Sequence, residues 1–182
     1  MPESLDERVK KMMKGQKFVT IVRIDDFCDI EGYIVAAARR LVLIHVLERG
    51  IIAGYCVVRS RDIVKVQHGA HERFHEHMYL SNGLAEQIQR PKKVVLGSWA
   101  SFFTWLVTHH QFATVEGEEE AIDGFVQGKI RNVKERLVTM RHLDDGGKYE
   151  DVIVDVPYDE ITKVSFGSEY LALLLTYGQN YV

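Results

Sequence analysis

The chain has 182 residues, 46% of them hydrophobic and 27% charged, with a formal net charge of -3. Such a composition supplies a core and excludes disorder as the main state, and no apolar run approaches the length of a membrane span. Charge is unevenly placed, with 16 basic residues against 12 acidic ones through Gly97 and 7 against 14 from Ser98 onward, a split that bears on partners rather than fold.

In chain order, the first 17 residues mix acids and bases and lack the apolar stretch of a secretory signal, so a soluble cytoplasmic protein without membrane association is expected. Ser4 with Glu7 three residues on has the capping-box spacing ahead of Val9, Met12 and Met13, which predicts a helix. Short segments rich in β-branched and aromatic residues then predict strands near Phe18 to Ile24, Ile30 to Ala37, Leu41 to Leu47, Ala53 to Arg59 and Ile63 to Gln67. A linker is expected over 81–97. Ser98 to His110 carries Trp99, Phe102, Phe103, Leu106 and Val107 at helical spacing. Five more strands are expected near Phe112 to Glu116, Gly124 to Asn132, Arg136 to His142, Glu150 to Val156 and Ile161 to Phe166, with Asp144-Asp145-Gly146-Gly147 as a hairpin turn.

The two halves repeat one another. Phe18-Val19-Thr20 aligns with Phe112-Ala113-Thr114, Gly32 with Gly128, Arg40-Leu41-Val42 with Arg136-Leu137-Val138, and Ile63-Val64-Lys65-Val66 with Ile161-Thr162-Lys163-Val164. Repetition in constant order marks two tandem copies of one unit. The fold expected is mainly β: two five-stranded barrels, each preceded by a helix, over residues 1–80 and 98–182, since five short strands bury an apolar face by curling. Ile34, Leu41, Ile63 and Val66, and their equivalents Ile130, Leu137, Ile161 and Val164, are the expected core. Cys28 and Cys56 lack zinc or disulfide spacing and are expected as buried thiols.

A helix followed by five short strands, with a glycine in the second strand and apolar residues two and nine positions after it, resembles the Sm-like family of small barrels, which includes bacterial RNA chaperone rings. Gly32, Ile34 and Leu41 carry the pattern in the first copy, and Gly128, Ile130 and Leu137 in the second. The family's next residue, an asparagine that helps to hold an RNA base, is replaced by Val42 and Val138. Arg59-Ser60-Arg61 partly echoes the family's second motif. The resemblance implies rings or other oligomers joined by pairing of a fourth strand with a neighbour's fifth, and RNA as a partner.

Three groups of residues invite a chemical reading. His71-Glu72-Arg73-Phe74-His75 spells H-E-x-x-H, in which two helical histidines hold a metal and the glutamate acts as a base; His71 and His75 are the candidate ligands, weighed against an exposed helix that adds little to the core. Lys10, Lys11, Lys14, Arg39, Arg40, Arg59 and Arg61 would bind nucleic acid if they converged, weighed against a solvated face. The Glu116 to Glu120 run and Asp144-Asp145 read as acidic loops. No phosphate-binding glycine loop, nucleophile elbow or redox cysteine pair occurs, so neither an enzyme nor a cofactor is expected. The reading favoured is a non-catalytic binding or scaffold module acting through homo-oligomer assembly or a protein partner, with RNA binding second and a metal-dependent hydrolase third.

Overall fold

The computed structural model describes residues 3–24, 29–110, 112–117 and 124–178. The expectations for Asp25, Asp26, Cys28 and Glu118 to Glu120 lie outside them. The chain divides into two compact units, Met1–Lys93 and Val94–Val182, a division that falls inside the 81–97 segment.

The first unit runs α1 (Leu5–Lys14), β1 (Phe18–Arg23), β2 (Ile30–Ala37), β3 (Leu41–Glu48), β4 (Ile51–Arg59), a 3-10 turn, β5 (Ile63–Gln67) and α2 (Ala70–Ser81). Helix α1 starts where the capping box places it: the Ser4 hydroxyl accepts from the Glu7 N–H, and the Glu7 carboxylate accepts from the Ser4 N–H at 2.8 Å. The strands form one antiparallel sheet in the order β5-β1-β2-β3-β4. Alternation along each strand sorts side chains onto two faces. Val19, Ile21, Ile34, Val42, Ile44, Cys56 and Val58 join Val9 and Met12 of α1 in the main core. On the opposite face Phe18, Tyr33 and Leu47 pack around Tyr79 of α2.

The second unit repeats this plan with α3 (Trp99–His109), β6 (Phe112–Gly117), β7 (Phe125–Val133), β8 (Leu137–Leu143), β9 (Tyr149–Pro157) and β10 (Ile161–Phe166). Its antiparallel order, β10-β6-β7-β8-β9, again reads fifth, first, second, third, fourth. Helix α3 buries Trp99, Phe102, Phe103, Trp105 and Leu106, with the Phe102 ring 5.7 Å from that of Phe166. A final helix absent from the expectations, α4 (Glu169–Tyr177), follows β10. Its end seats against the β8–β9 turn so closely that a Cβ on Gly147 would strike the Leu174 carbonyl and the Gly178 Cα.

Repetition extends to the irregularities. Register slips by one residue between Ile34 and Ala36 and again between Ile130 and Asn132, and the third and fourth strands slip by one between Val46 and Leu47 and by two between Arg141 and Leu143; such bulges bend a strand. Gly32 and Gly128 sit where the second strand crosses the third, and a Cβ on either would run into the carbonyl of His45 or Arg141. Seven of the eight expected core residues are buried, and Leu137, the first residue of β8, is half-buried.

The expected barrels are corrected in one respect: the sheets are not closed. Within each unit the fourth strand pairs with the third and the fifth with the first, and among the described residues the fourth and fifth do not pair with each other. The first unit has a physical reason. Curling shut is one way to bury an apolar sheet, but here α1 covers one face and α2 the other, so both faces are buried on an open sheet. Helix α2 therefore contributes core, with Tyr79 only 1% exposed, where the sequence pointed to a dispensable charged appendage.

Candidate functional site

The β2–β3 turn and the β4–β5 turn of the first unit are latched together: the Ser60 N–H donates to the Arg40 carbonyl at 2.8 Å, and the Ser60 hydroxyl lies 3.4 Å from the Ala38 carbonyl. Beside this latch a cavity of about 420 Å³ opens against α1, lined by Leu5, Asp6, Val9, Lys10, Met13, Ala37, Ala38, Arg39, Val42, Ser60 and Ile63. Of the seven basic residues singled out from the sequence, the structure brings Lys10 and Arg39 to this cavity. Lys11 pairs instead with Glu3 at 3.1 Å. Arg59 and Arg61 both engage Asp62, whose carboxylate is buried, so Arg59 is held half-buried in an ion pair. Lys14 and Arg40 are exposed and do not line the cavity. At the family's asparagine position, Val138 is 0% exposed, which withdraws it from ligand contact, whereas Val42, 2% exposed, reaches the surface only at the bottom of the cavity.

Helix α2 does place His71 and His75 on one face, with ring centroids 4.3 Å apart. His71 Nε2 lies 3.1 Å from Glu31 Oε1, and His75 Nδ1 lies 3.2 Å from the Tyr79 hydroxyl. Glu72 points elsewhere. It is buried, accepts from the Thr20 hydroxyl at 2.8 Å and from the Gly69 N–H that opens the helix. Burial alone would raise its pKa, but these two donors hold it below the ordinary value. A carboxylate so committed is a structural anchor between α2 and β1 rather than a base presented to metal-bound water. Among the described residues no group of three histidine, cysteine or acidic side chains is set to hold a metal ion. Glu76 anchors the same helix by accepting from the Phe18 N–H at 2.9 Å and from Lys17 at 2.8 Å.

Two features of this unit escaped the sequence reading. His45 is 4% exposed, stacks on Tyr55 with centroids 4.2 Å apart and accepts from the Gln89 N–H at 3.3 Å; the Tyr55 hydroxyl donates to the Gln89 carbonyl at 3.1 Å. Burial pulls the His45 pKa down to about 4, so the ring is neutral at pH 7. The Tyr33 hydroxyl is buried and has no hydrogen-bond partner among the described residues, and burial, with Glu76 and Tyr79 nearby, pushes its phenol up to about 12. Neither is announced by a motif. Only strand register brings His45 opposite Tyr55.

The sheet edges are the remaining candidates. Among the described residues β9 pairs with β8 alone and β5 with β1 alone. On β9, Val152 and Ile153 are 50% and 64% exposed, flanked by Glu150, Asp151 and Asp155. On β5, Val64 is 61% exposed beside the exposed Lys65. Set against known proteins, the chain matches no family model, no curated protein and no solved structure. No helix among the described residues is long and apolar enough to cross a membrane.

Proposed function

We propose that this chain is a non-catalytic binding or scaffold module of the Sm-like kind, built from two tandem barrel-related units, that works by assembling with copies of itself through its edge strands. The observation that supports this reading is β9. An edge strand presents unpaired backbone N–H and C=O groups, and proteins usually blunt it with charged side chains, lysine above all, with proline or with bulges. Here Val152 and Ile153 stand exposed on that edge, and every charged side chain of the strand is acidic. The edge at β5 offers Val64 with Lys65, so the two edges are complementary in both backbone and sign. Joining β9 of one chain to β5 of the next is a heterologous contact, which closes a ring or continues as a filament. The test is light scattering on the full chain at low micromolar concentration: a mass above 20.9 kDa is expected, falling toward the monomer with Ile153→Lys. A strictly monomeric mass at both low and high salt refutes it.

RNA binding is the second reading, supported by the meeting of Lys10 and Arg39 at one cavity. An electrophoretic shift with single-stranded RNA at two salt concentrations separates it from assembly, because each phosphate contact steepens the salt dependence.

A further inference from the structure

The cavity beside α1 is divided chemically. Its aliphatic lining is Leu5, Val9, Met13, Val42 and Ile63, of which Val9, Val42 and Ile63 are buried and form the floor. Its rim carries two cations, Lys10 and Arg39, one carboxylate, Asp6, and the Ser60 hydroxyl. At about 420 Å³ it falls within the range of sites that enclose small molecules. We infer that this cavity is a binding site for a small amphipathic monoanion, a medium-chain carboxylate, with the alkyl body on the aliphatic floor and the head group between Lys10 and Arg39.

Three observations select that ligand class. Lys11 shares Glu3 with Arg8, and Arg59 and Arg61 share the one Asp62 carboxylate; among the described residues Lys10 and Arg39 make no ion pair, and unlike the exposed Lys14 and Arg40 they stand at the cavity, where an incoming anion can meet both. Asp6 reduces the rim to a net charge of +1, which matches a carboxylate better than a doubly charged phosphate, and the planar guanidinium of Arg39 suits a carboxylate fork. The floor lacks aromatic rings and polar groups, so it offers a nucleobase neither stacking nor hydrogen bonds, while an alkyl chain needs only apolar contact. Two rigid pieces of the fold preform the site: capped α1 and the turn latch that fixes Ala38 and Ser60. The inference does not depend on assembly.

Octanoate is the probe, added below its micellar range to the full-length chain and followed by amide chemical shifts and calorimetry. Saturable binding in the millimolar range or tighter is expected, with shifts confined to Leu5 to Met13, Ala37 to Val42 and Ser60 to Ile63. Arg39→Gln and Lys10→Gln change exposed side chains and should leave the far-ultraviolet circular dichroism unaltered. Each is expected to weaken binding about tenfold, as loss of a charge-assisted hydrogen bond does, and 1-octanol should bind about tenfold more weakly than octanoate. Absence of saturation, shifts centred outside the cavity, or unchanged affinity in the Lys10→Gln, Arg39→Gln double variant would each overturn the assignment.

Discussion

Protonating His45 should loosen the first unit, and the size of the effect follows from its surroundings. The ring accepts from the Gln89 N–H and lies against Tyr55 at 4% exposure, so the folded unit holds the neutral form, with a pKa of about 4 against 6.5 for the free side chain. Above pH 6.5 both folded and unfolded chains carry neutral imidazole, and the native arrangement keeps its full stability. Between pH 6.5 and 4 the unfolded chain takes up a proton that the folded one does not, so stability falls as pH falls. The gap corresponds to about 3 kcal/mol once both pKa values are passed, of which about 2.5 kcal/mol is lost by pH 4.5. That is a large share of the roughly 5 to 15 kcal/mol by which domains are stable. Urea denaturation followed by circular dichroism at pH 7.5, 6 and 4.5 measures it, with His45→Phe as the reference. Phenylalanine keeps the stack on Tyr55 and cannot titrate, so the variant loses about 1 kcal/mol at every pH for the missing acceptor but has a shallower slope. The same pH slope in both proteins would refute the argument.

Gly32→Ala and Gly128→Ala each force a Cβ against a neighbouring carbonyl, and each is expected to cost about 2 kcal/mol or more and to lower the melting temperature on the order of 10 °C; an unchanged melt would show that the strands can part there. Tyr79→Ala should cost about 3 kcal/mol because it empties the second face of the sheet, whereas His71→Ala on the exposed side of the same helix should cost under about 1 kcal/mol, a contrast read by chemical denaturation.

The strands were legible because β-branched runs between turn residues are a local signal, and because each half of the chain checks the other. Ser4 and Glu7 announced α1 by spacing alone. Helix α4 was missed because Glu169 to Tyr177 is a short run dominated by Leu and Tyr, without the polar side that betrays an amphipathic helix. Charge density also misled at α2. Glu72 and Glu76 look like solvent residues in a string of letters, yet they accept from Thr20, Gly69, Phe18 and Lys17, partners more than 50 positions away or hidden in the backbone. The cavity was half visible: Lys10 and Arg39 were named among seven cations, but only the seating of α1 against the β2–β3 turn sets those two apart. The H-E-x-x-H string was a true helical pair of histidines with a glutamate turned the other way, a distinction that depends on which face the sheet claims.

The turn latch has a consequence for how this chain can be rewritten. In the first unit the Ser60 N–H reaches the Arg40 carbonyl, and in the second the Tyr158 N–H reaches the Arg136 carbonyl at 3.0 Å. Both latches are main chain to main chain, so neither bond itself depends on which side chain stands at the donor position. One copy places a small hydroxyl there, and the other a tyrosine whose hydroxyl donates to the Lys134 carbonyl at 2.9 Å. A protein engineer could treat these turns as labels on a frame closed by main chain, two addresses on one polypeptide for inscribing different recognition sequences, so long as the Ala38 and Lys134 carbonyls keep a donor.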